Sequence, residues 1–248
     1  MKLSRTLVYA LLTAAFMLVV YYVAAVLRAD AEGIAWNSVH AAVLAVLGLA
    51  AGAAWGSRPA LAKWRTIDAI LAANLALVFG LLFVGWSMIW DLAKPLNAVF
   101  PGARDLLYGF WFIAGVIAPY IIRKPGAAIA AEALAALAEF LAGGYWGLTL
   151  LISGLVQGGM AEIVFAATGY KKYNLTTLML AGAAAGVGSL VVDYLFWYSD
   201  LKLGVLAAML VARVISGAVL SGWLGKAIAD ALRRAGALNS FAIVRDEA

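Results

Sequence analysis

Long apolar runs follow one another along the chain, and only short charged or glycine- and proline-containing breaks separate them. An apolar stretch of about 20 residues is long enough to cross the hydrocarbon core of a bilayer as a helix. Transmembrane β-barrels alternate polar and apolar residues, so continuous apolar runs favour helices. The sequence predicts an all-α integral membrane protein with about eight transmembrane helices, at residues 7–27, 38–56, 66–90, 106–122, 127–142, 147–167, 175–198 and 203–231.

The composition leaves too few polar side chains to cover a water-soluble surface. Hydrophobic residues make up 66% of the 248 residues and charged residues 12%, about half the charged share of an average soluble domain. The apolar excess is therefore expected to face lipid. The first run, from Leu7 to about Leu27, has spanning length and is followed by a poor cleavage site, so we interpret it as a retained helix rather than a signal peptide.

The distribution of basic residues predicts the orientation of the chain. With the N-terminus inside, thirteen lysines and arginines fall on the inner side and four on the outer side, while Arg213 falls within a span. Lysine and arginine collect on the cytoplasmic side of membrane proteins. We therefore expect a multi-pass protein of the cell membrane with both termini in the cytoplasm.

Residue counts argue against metal and enzyme chemistry. The chain has no cysteine and one histidine, His40, whereas zinc and iron sites usually use two or three such ligands. We therefore expect no metal site. The sequence also lacks a His–Ser or paired-aspartate constellation, so an intramembrane enzyme is the weakest hypothesis. It lacks a phosphate-binding glycine–lysine loop as well, so any ATPase is expected on another chain.

Ionisable residues inside predicted spans are functional candidates, because a charge in hydrocarbon is costly. Glu139 and Asp193 are predicted near the outer ends of their spans, at the depth of several aromatic rings. Carboxylates beside ring faces suit a flat, partly cationic ligand with N–H groups. The predicted substrate-binding residues are Tyr108, Trp111, Glu139, Tyr145, Trp146, Gln157, Asp193 and Trp197. An interfacial aromatic belt is the alternative explanation for the rings.

Three further ionisable residues, Glu132, Glu162 and Arg213, are predicted deeper in the membrane. We interpret them as a structural ionic group, either a buried ion pair or a hydrogen-bonded strut between helices. The alternative is a proton relay, which would make the protein a self-sufficient proton-coupled carrier of a small molecule. Dependence of transport on co-expressed ATPase subunits separates these two hypotheses.

Short blocks within residues 64–240 resemble the YkoE-like family. In these blocks polar residues recur at defined intervals inside apolar runs. The blocks are Tyr108–Phe112, Ile121–Ala127, Glu132, Glu139–Gly143, Val156–Glu162, Leu178–Gly182 and Arg213–Lys226. Members of this family are substrate-binding (S) components of energy-coupling factor (ECF) transporters, assigned to uptake of thiamine or its hydroxymethylpyrimidine precursor.

The resemblance implies a six-helix S-component domain at residues 63–248, preceded by two additional N-terminal transmembrane helices in residues 1–62. It implies a vitamin site that opens outward and three partners: a transmembrane coupling subunit and two cytoplasmic ATPase subunits. ATP is then used by the partners, and we expect no cofactor on this chain and no nucleic-acid partner.

S components contact the coupling subunit through an alanine-xxx-alanine face on their first helix, which corresponds to the third predicted span. Small residues at this spacing let helices approach closely. The resemblance therefore implies a partner interface at Ala69, Ala72, Ala73 and Ala76.

Overall fold

A computed structural model of the protein describes residues 64–245, and every regular element in that range is a helix. The α-helices are α1 Thr66–Leu92, α2 Ile113–Ile122, α3 Ala127–Leu141, α4 Thr149–Ala167, α5 Leu175–Asp193, α6 Leu203–Ser216, α7 Leu224–Arg234 and α8 Ala242–Arg245. Two 3₁₀ segments, Lys94–Ala98 and Ala103–Phe112, precede α2. Two π-helical segments, Tyr194–Tyr198 and Gly217–Trp223, extend α5 and join α6 to α7. The predicted all-helical class is confirmed for these residues.

Five helical stretches in this described range are long and apolar enough to cross a bilayer. They match predicted spans to within three residues at each end and are Thr66–Leu92, Ala103–Ile122, Thr149–Ala167, Leu175–Tyr198 and Leu203–Arg234. The predicted span at 127–142 corresponds to α3, which has 15 residues against the roughly 20 of a usual span. The predicted spans at 7–27 and 38–56 lie outside the described residues.

Residues 64–194 and 198–245 belong to one compact unit, and residues 195–197 are assigned to a second unit. The boundary at residue 62, proposed from the sequence, stays a prediction. Within the first unit α2 lies at the centre, and each of its residues is buried. The first helix, α1, turns large apolar side chains outward, as Leu77, Val78 and Leu81 show with 55%, 54% and 55% exposure. Such a surface suits lipid rather than water.

Small residues let the helices pack at close range. A side chain added at Gly80 of α1 would collide with Ala138 and the Ala135 carbonyl of α3. Packing is equally close where α5 crosses the π-helical segment Gly217–Trp223, because a Cβ at Gly182 would collide with the Gly217 carbonyl oxygen. Dispersion contacts of this kind drive helix association in lipid, where no hydrophobic effect acts between helices.

A buried charge cluster ties the beginning of α1 to the C-terminal residues. The Asp68 carboxylate lies 2.7 Å from Arg65 Nη2 and 2.6 Å from Lys124 Nζ. Arg65 Nη2 also donates to the Ser240 carbonyl oxygen at 3.0 Å. The neighbouring Phe241 and Ile243 are buried. The last residues of the described chain are therefore an integral part of this end of the bundle.

The crossing of α5 with the π-helical segment yields a first prediction. Gly182→Ala should lower the melting temperature of the purified protein, because the added Cβ meets backbone that has no room to move. Overpacking of this kind costs about 1–3 kcal/mol. Gly85→Ala on α1 is the matched control, since a Cβ there meets nothing within 4 Å. Equal melting temperatures for the two variants would contradict the close crossing.

Candidate ligand site

An aromatic cluster forms where the end of α1 meets the 3₁₀ segment Ala103–Phe112. The ring centroids of Trp90, Tyr108 and Trp111 lie 5.3–5.4 Å apart, each pair edge to face. A 3₁₀ helix has three residues per turn, so Tyr108 and Trp111 share one side of the segment. Ring pairs at these distances attract one another beyond the area they bury.

The Glu139 carboxylate lies beside this cluster, on α3. Glu139 is 1% exposed, and its Oε1 accepts a long hydrogen bond of 3.4 Å from Ser87 Oγ. The Trp111 side chain lies close enough to this carboxylate to stabilise its charge. No cation pairs with Glu139 among the described residues. A buried carboxylate that lacks a cation is poorly compensated, so it suits a cationic or N–H-bearing ligand.

A second group of charges surrounds Arg213 on α6. The guanidinium is fully buried and lies 2.6 Å from Asp105 Oδ1 and 2.7 Å from Asp193 Oδ2. Its Nη1 donates to Ser189 Oγ at 3.2 Å. The Tyr108 ring lies 3.7 Å from the guanidinium carbon, and the Tyr108 hydroxyl donates to Asp193 at 3.0 Å. Asp193 is thus bound to Arg213 and Tyr108 in this structure.

Glu132, Glu162 and Arg213 do not pair with one another, so the ion-pair alternative is wrong for them as a group. Glu132 and Glu162 instead form hydrogen-bonded struts between helices, which is the other alternative. Glu132 Oε2 accepts from the Gly115 N–H of α2 at 2.6 Å. Glu162 accepts from the Gly126 and Ala128 N–H groups at 2.7 Å and 2.9 Å, at the N-terminus of α3. The first N–H groups of a helix lack intrahelical acceptors, and a carboxylate satisfies them. The three residues were grouped by their predicted depth in the membrane, and depth does not indicate which side of a helix a residue lies on or which partners it has.

The other predicted site residues fall in different places. Tyr145 and Trp146 stack at 4.7 Å in the connection between α3 and α4, and the Tyr145 hydroxyl donates to Asp91 at 3.2 Å. Burial of that hydroxyl, together with the nearby Asp91 carboxylate, raises the pKa of Tyr145 to about 12. Gln157 is buried on α4, and it makes no hydrogen bond to Glu139, whose hydroxyl donor in the described residues is Ser87. Trp197 is exposed and lies in the separate unit 195–197.

The four alanines of the implied partner interface differ in burial, because they straddle the edge between the packed side and the outer side of α1. Ala72 and Ala76 are 1% and 2% exposed and belong to the core of the unit. Ala69 and Ala73 are exposed. Residues four apart stack directly above one another on a helix, so Ala69 and Ala73 form an exposed row and Ala72 and Ala76 form the adjacent buried row. Only the exposed row can meet a partner, which corrects the implied set.

Three residues beside the predicted site were missing from it: Ser87, Trp90 and Asp105. Trp90 follows Trp86 by one helical turn near the end of α1, and this spacing could have indicated a shared face. Asp105 was placed in an outer connection, where a charged residue needs no explanation. In the described residues no group of three or more histidines, cysteines, aspartates or glutamates could hold a metal ion. The site itself offers carboxylate acceptors, N–H and O–H donors and ring faces, which suit an organic ligand.

Comparisons with known proteins agree on a transport protein. The family described as "ABC-type cobalt transport system, permease component" matches residues 67–188. The "Putative HMP/thiamine permease protein YkoE" of Bacillus subtilis is 40% identical over 186 residues, which cover 74% of this chain and 92% of that protein. A solved structure titled "Crystal structure of an S-component of ECF transporter" is 41% identical, with a TM-score of 0.69, and covers 74% of this chain and 93% of that one.

The Arg213 contacts yield a second prediction. Arg213→Met should lower stability by about 3–5 kcal/mol, because it leaves two buried carboxylates without a cation. Replacing Asp105 and Asp193 with asparagine in the same protein should restore part of the lost melting temperature. Glu132→Gln in the Arg213→Met background is the control and should restore nothing, since Glu132 bonds to Gly115 instead. Rescue by Glu132→Gln would contradict the observed pairing.

Proposed function

Because the chain belongs to the YkoE-like family of ECF-transporter S components, we propose that it binds thiamine or hydroxymethylpyrimidine from outside the cell and delivers it inward. The name of the Bacillus subtilis relative supports this ligand class. The observation that carries the proposal is the buried Glu139 carboxylate beside the Trp90–Tyr108–Trp111 cluster. Both vitamins carry an aminopyrimidine, and thiamine also carries a cationic thiazolium ring.

The chemistry of this site suits such a ligand. A flat heteroaromatic ring gains stacking and cation–π energy against indole and phenol faces. Its amino group donates to a carboxylate, and that hydrogen bond is strengthened by the charge of Glu139. Asp193 is already neutralised by Arg213 at 2.7 Å. We therefore assign the contact with the amino or cationic end of the ligand to Glu139 rather than to Asp193.

The proposal includes ATP-driven uptake through separate subunits. A transmembrane coupling subunit and two cytoplasmic ATPases would reorient the loaded S component in the membrane, and ATP hydrolysis would occur on those partners. Two further membrane helices in residues 1–62 and cytoplasmic termini belong to the same proposal. Its support is the apolar pattern of that region and the excess of basic residues on one side.

The first test concerns the ligand. Glu139→Gln should weaken thiamine binding by about 1–3 kcal/mol, because it removes the charge from a hydrogen-bonded acceptor. The measurement is a titration of purified protein followed by tryptophan fluorescence, repeated with hydroxymethylpyrimidine. Glu132→Gln is the matched control, since it makes the same change on the same helix at a residue held by Gly115. Unchanged affinity in Glu139→Gln, with lost affinity in a folded Glu132→Gln protein, would move the site elsewhere.

The second test concerns the coupling subunit. Ala73→Trp should prevent co-purification of the coupling subunit and leave vitamin binding intact, because bulk on the exposed row of α1 blocks close helix approach. Ala207→Trp is the matched control, as Ala207 is also exposed but lies on α6. Normal assembly of the Ala73→Trp protein would make this row an ordinary lipid-facing surface. Uptake by the chain without any ATPase would favour the self-sufficient carrier.

A further inference from the structure

Two buried N–H groups beside the aromatic cluster lack an acceptor. They are Trp90 Nε1 and Arg104 Nε, and neither has a hydrogen-bond partner in the described part of the chain. The Trp90 side chain is 2% exposed, so water does not reach its indole nitrogen freely. A buried donor without an acceptor costs about 1–3 kcal/mol. An acceptor brought by a ligand would recover this free energy.

The two donors belong to planar groups that lie against each other. The Arg104 guanidinium carbon is 4.1 Å from the centroid of the Trp90 ring. The Arg104 backbone is held in place, because its N–H donates to Asn97 Oδ1 at 3.1 Å. Nearby Gly102 has a φ of 88°, and it lies so close to Met209 that a Cβ there would collide with that residue. The donor pair is thus positioned by the fold.

The charges around the pair indicate which kind of acceptor fits. Asp91 is bound to Lys94 at 3.0 Å. Arg213 is shared by two carboxylates, and Glu139 has no cation among the described residues. Four carboxylates therefore stand against three cations. The carboxylates are Asp91, Asp105, Glu139 and Asp193, and the cations are Lys94, Arg104 and Arg213. An anionic acceptor would add to this excess of negative charge, whereas a neutral oxygen would not.

We propose that Trp90 Nε1 and Arg104 Nε form the alcohol-binding end of the ligand site. This assignment rests on the proposed function and adds the second point of recognition to it. Trp111 connects the two ends, since its ring lies 5.4 Å from that of Trp90 and its side chain lies beside the Glu139 carboxylate. The ligand's aminopyrimidine faces Glu139, and its primary alcohol oxygen accepts from the donor pair. Both thiamine and hydroxymethylpyrimidine carry such an alcohol.

The experiment uses ligand pairs that differ by one hydroxyl group. The first pair is thiamine and its analogue with ethyl in place of hydroxyethyl. The second pair is hydroxymethylpyrimidine and its analogue with methyl in place of hydroxymethyl. In whichever pair the full-length wild-type protein binds, the compound with the hydroxyl group should have a dissociation constant about tenfold lower than its analogue. This is the effect of one hydrogen bond to a charged or buried donor. Trp90→Phe and Arg104→Gln should each reduce this preference, and the double variant should abolish it.

The matched controls keep the same substitutions away from the donor pair. Trp86→Phe should retain the preference for the alcohol, because the Trp86 indole already donates to the Leu107 carbonyl at 3.0 Å. Arg234→Gln should retain it as well, since Arg234 is an exposed residue at the end of α7. Melting temperatures verify that each variant is folded. If the Trp90→Phe protein does not fold, Arg104→Gln alone serves as the test.

The outcomes separate this assignment from the proposed function. If the wild-type protein binds an alcohol and its analogue equally well, or if the double variant keeps the preference, the assignment is overturned while vitamin binding stands. If the wild-type protein binds none of the four compounds, the proposed function fails and the assignment fails with it. A tenfold preference that disappears in the double variant and persists in both controls supports the assignment.

Discussion

The buried Arg213 guanidinium is the interaction on which the rest of the bundle depends. A charge in this position is tolerated only with close partners, because removing an ion from water costs several kcal/mol. Its two carboxylates come from the 3₁₀ segment before α2 and from the end of α5. Three separate stretches of chain are thereby fixed at one point. Tyr108 packs on the guanidinium and bonds to Asp193, so the aromatic cluster is oriented by the same charges.

This arrangement requires backbones that approach more closely than most side chains allow. Added side chains at Gly186 and Gly109 would collide with the backbone at Arg213 and at Ser216. The Gly109 N–H donates to Ser216 Oγ at 2.8 Å, and that hydroxyl donates to the Leu106 carbonyl at 2.6 Å. Glycine and serine thus bring the 3₁₀ segment within reach of α6. The small residues allow the backbones to approach closely, and the polar network then holds the 3₁₀ segment against α6.

The sequence predicted the helices of the described range well and their faces poorly. Spanning length and hydropathy located the membrane helices to within three residues at each end, because the bilayer sets the length of a span. It is harder to predict which side of a membrane helix faces the protein interior. Lipid and protein interior are equally apolar, so the polar and apolar residues that alternate with a 3.6-residue period in soluble helices are not clearly separated here. Ala72 and Ala76 were therefore placed on the wrong face, and Arg213 was given the wrong partners. Trp111 and Glu139 are neighbours in the structure, as their predicted depth suggested, and their role in binding a ligand stays a prediction.

The shortness of α3 has a consequence for the surrounding membrane. A helix of 15 residues is about 22 Å long, whereas the hydrocarbon core is about 30 Å thick. Leu134, Leu137 and Leu141 are exposed along this helix, so the hydrophobic surface that α3 offers to lipid is shorter than the hydrocarbon core is thick. A span shorter than the hydrocarbon core is accommodated by local thinning of the bilayer, by snorkelling of flanking residues or by oligomerisation. The bilayer is therefore expected to be locally thinner beside α3. The position of the protein in the bilayer should then depend on the length of the lipid chains.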